Sequence, residues 1–357
     1  MSTAAEESTA NRTPVDWGIA VSTAQRLMKP GPSVPIEEAE RVVEQLRAVT
    51  GVAEQHVREL TGLGRDLPLL EGDVVDRRGW VVAAAEGLAA LTDGALPTGN
   101  RPLGGVLASS AGVQAGMVLA YLGGRVLGQY DPFGGTDGGR LLLVAPNIIA
   151  AQRALDVPAD DFRMWVCLHE CTHRLQFTAV PWLRDYFAGE VTRFLAGLDE
   201  TATNAFTRLP EMIRTVRRRS DDDTTASSGP IGIMELLQSP QQREVFDRLI
   251  ALSTLLEGHA DHVMDAVGPT VVPSVATIRA RFTARRRGGG LLDRILRTVL
   301  GVDAKVKQYA VGAAFTRHVV DAVGMDGFNA VWTSPETLPL RAELGDPAAW
   351  VRRVHNR

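Results

Sequence analysis

Cysteine is scarce: only Cys167 and Cys171 occur in 357 residues. Two cysteines make no disulfide framework, so a reducing, cytoplasmic setting is expected. An excess of charge is missing as well. The 38 Lys and Arg nearly balance 42 Asp and Glu, for a net −4. Phosphate binding needs a concentrated basic surface, so no nucleic-acid partner is expected. The runs Arg217-Arg218-Arg219 and Arg285-Arg286-Arg287 are local and border loop-like segments. Met1 to Pro14 has neither a basic n-region nor an apolar h-region, which excludes a signal peptide or anchor there. Long hydrophobic runs are also lacking. The one extended uncharged stretch, Gly105 to Gly124, is diluted by Gly, Ala, Ser and Gln114. It reads as a closely packed, fully buried helix and not as a membrane span.

What is present is globular: 45% apolar and 22% charged residues, enough chain for one large domain or two ordinary ones. The expected organisation is a disordered 1–13, a helical N-terminal portion over 14–101, and a catalytic domain over 102–357 with a mobile loop at 219–231. Apolar residues at Ile36, Ala39, Val43, Leu46, Ala53, Val57 and Leu60 mark one helix, or two jointed at Gly51. Asp76 reads as the N-cap of a helix from Arg77 to about Leu91. A glycine-rich turn, Gly134 to Gly139, precedes a short apolar strand, Leu141 to Ala145, whose edge is expected to receive an extended peptide. Helices are expected over about 183–197, 199–218, 241–267 and 291–323. The tail with Trp332 and Trp350 should pack back on the body. The fold class is mainly α (α+β), with a small antiparallel β element among many helices.

The informative stretch is Trp165-Val-Cys-Leu-His169-Glu170-Cys-Thr-His173-Arg-Leu-Gln-Phe177. On a helix starting near Pro158 and ending before Pro181, His169 and His173 lie one turn apart on one face. They can offer two imidazole nitrogens to a single metal ion. Glu170, about 100° round the helix, can reach a water at that metal. Two ligands with a general base between them form the pattern of a zinc hydrolase. A helix cannot aim Cys171 and His173 in the same direction, so both cysteines read as small core residues.

A catalytic zinc site needs a third protein ligand. Leu256-Glu257-Gly258-His259-Ala260-Asp261-His262 is the best source. Glu257 is the preferred ligand. Asp261, one turn later on the same face, is suited to hold the far nitrogen of a ligand histidine. His259 and His262 stand as alternative ligands. Tyr309 and His318 are candidates for the donor that steadies a developing oxyanion. The chemistry implied is a water, acidified by zinc (Zn2+), attacking a peptide or other amide carbonyl with Glu170 as base. A peptide or protein is the expected substrate. Two rivals share the ligands: a hydrolase of a non-peptide amide, and a zinc-binding scaffold without turnover.

Several stretches resemble a known family. They are Val75-Asp-Arg-Arg-Gly-Trp80, Val126-Leu-Gly-Gln-Tyr-Asp-Pro132, Leu142-Leu-Val-Ala-Pro-Asn147, the run from His169 to Trp182, Leu256 to Asp261, and Lys307-Gln-Tyr309. Together they are similar to the zincin-like metallopeptidases of actinobacteria, hydrolases sometimes labelled as associated with biosynthesis of a deazaflavin coenzyme. The resemblance implies a zincin-like core with His169 and His173 as ligands and Glu170 as base. In the related gluzincins a ligand Glu is followed four residues later by an Asp, as Glu257 is by Asp261. The 84 residues between His173 and Glu257 exceed the spacing in compact members of that clan.

Overall fold

Strand β3 (Arg140–Val144) runs Arg-Leu-Leu-Leu-Val, and its last four residues are buried. Side chains alternate across a strand, and here both faces are covered. Leu141 and Leu143 point into one apolar core, Leu142 and Val144 into another. The coordinates are a computed structural model describing residues 15–93, 104–135, 139–197, 240–287 and 302–355, with backbone alone at 104–107, 285–287 and 302–310. The expected disorder at 1–13, the helix at 199–218, the loop at 219–231 and the break at 288–290 lie outside the described residues.

The sheet has three strands in the order β1-β3-β2. β1 (Asp73–Val75) pairs parallel to β3, and β2 (Gly128–Asp131) pairs antiparallel to it. This corrects the sequence reading, which made the 141–145 strand an edge. It is the centre, and the edge on the antiparallel side belongs to β2. A five-residue apolar strand looks the same in either position.

Behind the sheet lie α1 (Trp17–Leu27), α3 (Arg77–Thr92) and α4 (Gly104–Gly123), which share the core of Leu142 and Val144. Asp76 caps α3 as expected, its Oδ1 accepting from the Gly79 N–H at 2.7 Å. The small residues of α4 let α1 approach closely: a Cβ on Gly112 would lie 2.5 Å from the Asp16 carbonyl oxygen. α4 is not fully buried, however. Val113, Met117 and Val118 are exposed, so its lack of charge reflects one tight face and not burial all round. Among the described residues no helix is long and apolar enough to cross a membrane.

The other core holds α2 (Ile36–Thr61), continuous through Gly51, and α5 (Ala145–Leu155). It also holds the motif helix α6 (Ala159–Thr178) and a helix over 183–197, α7. Next come α8 (Pro240–Val271), α9 (Val275–Arg287) and α10 (Val302–Phe328), which is kinked at Gly324. The tail returns as expected: α11 (Pro347–His355) buries Trp350 against Phe315, and the Trp332 carbonyl accepts from Trp182 Nε1 at 3.0 Å. α2 shares its core with the motif helix, and α1 packs on α4. Packing therefore crosses residue 101 in both directions.

Candidate metal centre

Two helices supply the site. α6 begins after Pro158, with Asp160 and Asp161 in its first turn, where carboxylates complement the helix dipole. It buries Phe162, Trp165, Leu168 and Leu175 and leaves His169 and His173 partly accessible on another face. α8 crosses it and is itself pinned by α10 at glycine on glycine. A Cβ on Gly258 would lie 2.0 Å from the Gly312 carbonyl carbon, so only this small residue can follow Glu257 in that crossing.

The result is a compact donor triangle. His169 Nε2 and His173 Nε2 are 3.2 Å apart, and Glu257 Oε2 lies 3.6 Å from the first and 3.7 Å from the second. The circle through three points so separated has a radius of about 2.0 Å, the bond length of zinc to imidazole nitrogen or carboxylate oxygen. The donor set therefore fits zinc. The electrostatics agree. Burial opposes charge on His173, but the hydrogen bond and charge of Glu257, aided by Glu170, push its pKa up to about 9. Among the described residues this is the one group of three or more His, Cys, Asp or Glu side chains close enough to share an ion.

Glu170 is buried beside the triangle. Burial raises its carboxyl to about 7, with Glu257 adding to the rise while His173 and the Tyr130 backbone N–H oppose it. Strand β2 forms its wall. Leu127 accepts from the Val144 N–H at 2.8 Å, so alternate residues face β3, and Gly128 and Tyr130 aim their backbone groups the other way. Tyr130 donates its N–H to Glu170. Gly128 leaves room for the carboxylate: a Cβ there would lie 2.6 Å from Glu170 Cγ and 2.8 Å from its Oε1.

A family model described as zincin-like metallopeptidase matches residues 15–351. The chain belongs to this zincin-like metallopeptidase family. A crystal structure titled "a putative hydrolase with a novel fold", from Chloroflexus aurantiacus, is similar over 96% of this chain and 99% of that one. The two are 32% identical, with a TM-score of 0.66. No curated protein matches. Neither match carries the deazaflavin label. Membership supports a metal-dependent hydrolase, and the zincin-like triangle of His169, His173 and Glu257 is where its ion would sit.

The other candidates fall elsewhere in this zincin-like fold. His259 is fully buried, its ring stacked on Phe328 with centroids 5.1 Å apart, and burial lowers its pKa to about 3. His262 lies among Arg317, Asp265 and Asp321; burial, then Arg317, lowers its pKa. Neither joins the donor triangle. Asp261 is engaged with Arg279, Nη2 to Oδ1 at 3.6 Å and Nη2 to the Asp261 carbonyl at 2.8 Å. His318 is exposed on α10, and the side chain of Tyr309 lies outside the described residues.

Two neighbours escaped the sequence reading. Gln176 Oε1 is 2.9 Å from His173 Nδ1, and Met264 Sδ is 3.2 Å from His169 Nδ1. Gln176 follows His173 by three residues on one helix face, and that spacing could have found it. Met264 had no such signal.

Proposed function

We propose that this protein is a zinc-dependent metallopeptidase-like hydrolase acting on an amide bond of a peptide or protein. The observation that carries the reading is the donor triangle, 3.2, 3.6 and 3.7 Å on its sides, with a buried carboxylate next to it. His169, His173 and Glu257 would hold the ion. Zinc, when bound, supplies Lewis acidity, acidifying water and polarising a carbonyl oxygen.

The chain's own residues do the rest. Glu170 takes a proton from the attacking water and returns it to the leaving amine, as a buried carboxylate with a raised pKa can. Tyr130 N–H and the bare Gly128 hold that carboxylate in place. The outward edge of β2 runs beside it, which supports an extended backbone as the substrate's reacting part.

The test is Glu170→Gln. Zinc content should stay at the wild-type level while hydrolysis of a diverse peptide library disappears. Wild-type turnover in that variant would refute the role of Glu170. Cleavage of small non-peptide amides with no peptide cleavage would move the substrate class, and no turnover of either by the wild type would leave a zinc-binding scaffold.

A further inference from the structure

Gln176 is fully buried. Its amide nitrogen lies 2.9 Å from the Leu256 carbonyl oxygen and 3.0 Å from His259 Nδ1, and its amide oxygen lies 2.9 Å from His173 Nδ1. A backbone carbonyl only accepts. The amide nitrogen must therefore face Leu256, which turns the oxygen toward His173. That oxygen also only accepts, so His173 Nδ1 carries a proton. Nε2 is left to bind a metal, and Nε2 is the atom that faces His169 and Glu257. The second amide hydrogen points at His259 Nδ1, which must accept it. His259 therefore carries its proton on Nε2.

That Nε2 is buried without a hydrogen-bond partner. The ring sits against Phe328 and Trp332, with centroids 5.1 and 5.5 Å away. Phenylalanine would fill such a slot and leave no polar atom unpaired. What imidazole adds there is one acceptor, Nδ1, aimed at Gln176.

We propose, on the reading of His169, His173 and Glu257 as metal ligands, that Gln176 is a positioning residue and His259 its prop. One backbone carbonyl, on the residue before Glu257, sets the amide, and the amide sets the tautomers of two histidines. The same amide ties the two ligand-bearing helices and fixes Nδ1 as the protonated nitrogen of the metal-bound His173 ring.

The test combines long-range 1H–15N spectra of histidine-labelled protein with zinc competition against a chelator. In zinc-loaded wild type, His173 should be protonated at Nδ1. With or without zinc, His259 should be protonated at Nε2 alone. Gln176→Leu should weaken zinc binding about 10- to 100-fold. His259→Phe, which keeps the stacking, should weaken it several-fold. His262→Phe should leave zinc affinity unchanged. A proton on His259 Nδ1, or wild-type zinc affinity in folded Gln176→Leu or His259→Phe, would overturn the proposal. A wild type that takes up no zinc refutes the metal centre instead, and the His259 tautomer in that metal-free protein still decides the Gln176 chain.

Discussion

Glu54 is a buried carboxylate with both oxygens engaged, Oε1 by Arg58 and Oε2 by Arg174, which follows the candidate ligand His173. Its side chain is 1% exposed, and those of Arg58 and Arg174 are 11% and 3% exposed. The cluster joins α2 to the motif helix. It also grips the connecting loop, since Arg58 donates to the Pro68 carbonyl at 2.9 Å and Arg174 to the Glu71 carbonyl at 3.2 Å. One negative charge thus faces two positive ones. Glu54→Leu leaves two guanidinium groups buried with no counter-charge, which should cost about 3–5 kcal/mol. Arg174→Met leaves Glu54 paired with Arg58 but loses two charged hydrogen bonds, to Glu54 and to the Glu71 carbonyl, about 1.5–3 kcal/mol each. The double variant removes one of the two stranded charges and should be more stable than Glu54→Leu alone, a coupling that additive effects cannot produce. Urea unfolding of the metal-free proteins, followed by tryptophan fluorescence, measures all three. The hub role of Glu54 is refuted if the double variant is the least stable of the set.

Gly128→Ala places a Cβ 2.6 Å from Glu170 Cγ, about 1 Å inside ordinary contact. Displacing Glu170 by that much should, on its proposed role as base, lower turnover on the order of 100-fold while zinc content is unchanged; turnover near wild type would contradict the close fit. Glu343 accepts from Arg353 Nε at 2.6 Å and Nη2 at 2.8 Å and from the Leu340 N–H at 2.8 Å. Burial opposes its ionisation, but Arg353 and the Leu340 N–H hold its pKa below the usual 4.5. A lowered carboxylate pKa stabilises above the unfolded value, and the gain is lost as pH falls through the folded value. Glu343→Gln should therefore be less stable by about 1–2 kcal/mol at pH 7 and match wild type once the pH is well below 4.5 in a stability–pH series; a constant gap would refute the ion pair. Burial raises the thiol of Cys167 to about 12 and pushes that of Cys171 well above its usual value. At pH 8 neither should react with iodoacetamide until the protein unfolds, and mass spectrometry showing rapid native alkylation would contradict their placement.

The motif half of the site was legible because helical geometry is local: four residues turn His173 back over His169 whatever surrounds them. Glu257 was legible by chemical type alone, since α8 is brought to α6 by packing that no spacing reports. Gly258 carried part of that information, its missing side chain being what admits α10. Other features were hidden for identifiable reasons. The strand expected over 141–145 ends at Val144, and Ala145 and Pro146 open the first turn of α5, where proline suits a helix start. β1 has three residues and exists only through its pairing with β3. Glu54 and Arg58, on a helix spacing that suits a surface pair, are buried because Arg174 meets them from 120 residues away.

The most direct test of the metal centre is zinc analysis, with X-ray absorption at the zinc edge, on four purified proteins: wild type, Glu170→Gln, Glu257→Ala and His262→Ala. One zinc per chain should be present in wild type, Glu170→Gln and His262→Ala, with ligand distances of about 2.0–2.1 Å to two imidazole nitrogens and to oxygen. Glu257→Ala should lose it. Full zinc occupancy in Glu257→Ala, or its loss in His262→Ala, would contradict the assignment of His169, His173 and Glu257 as the ligands.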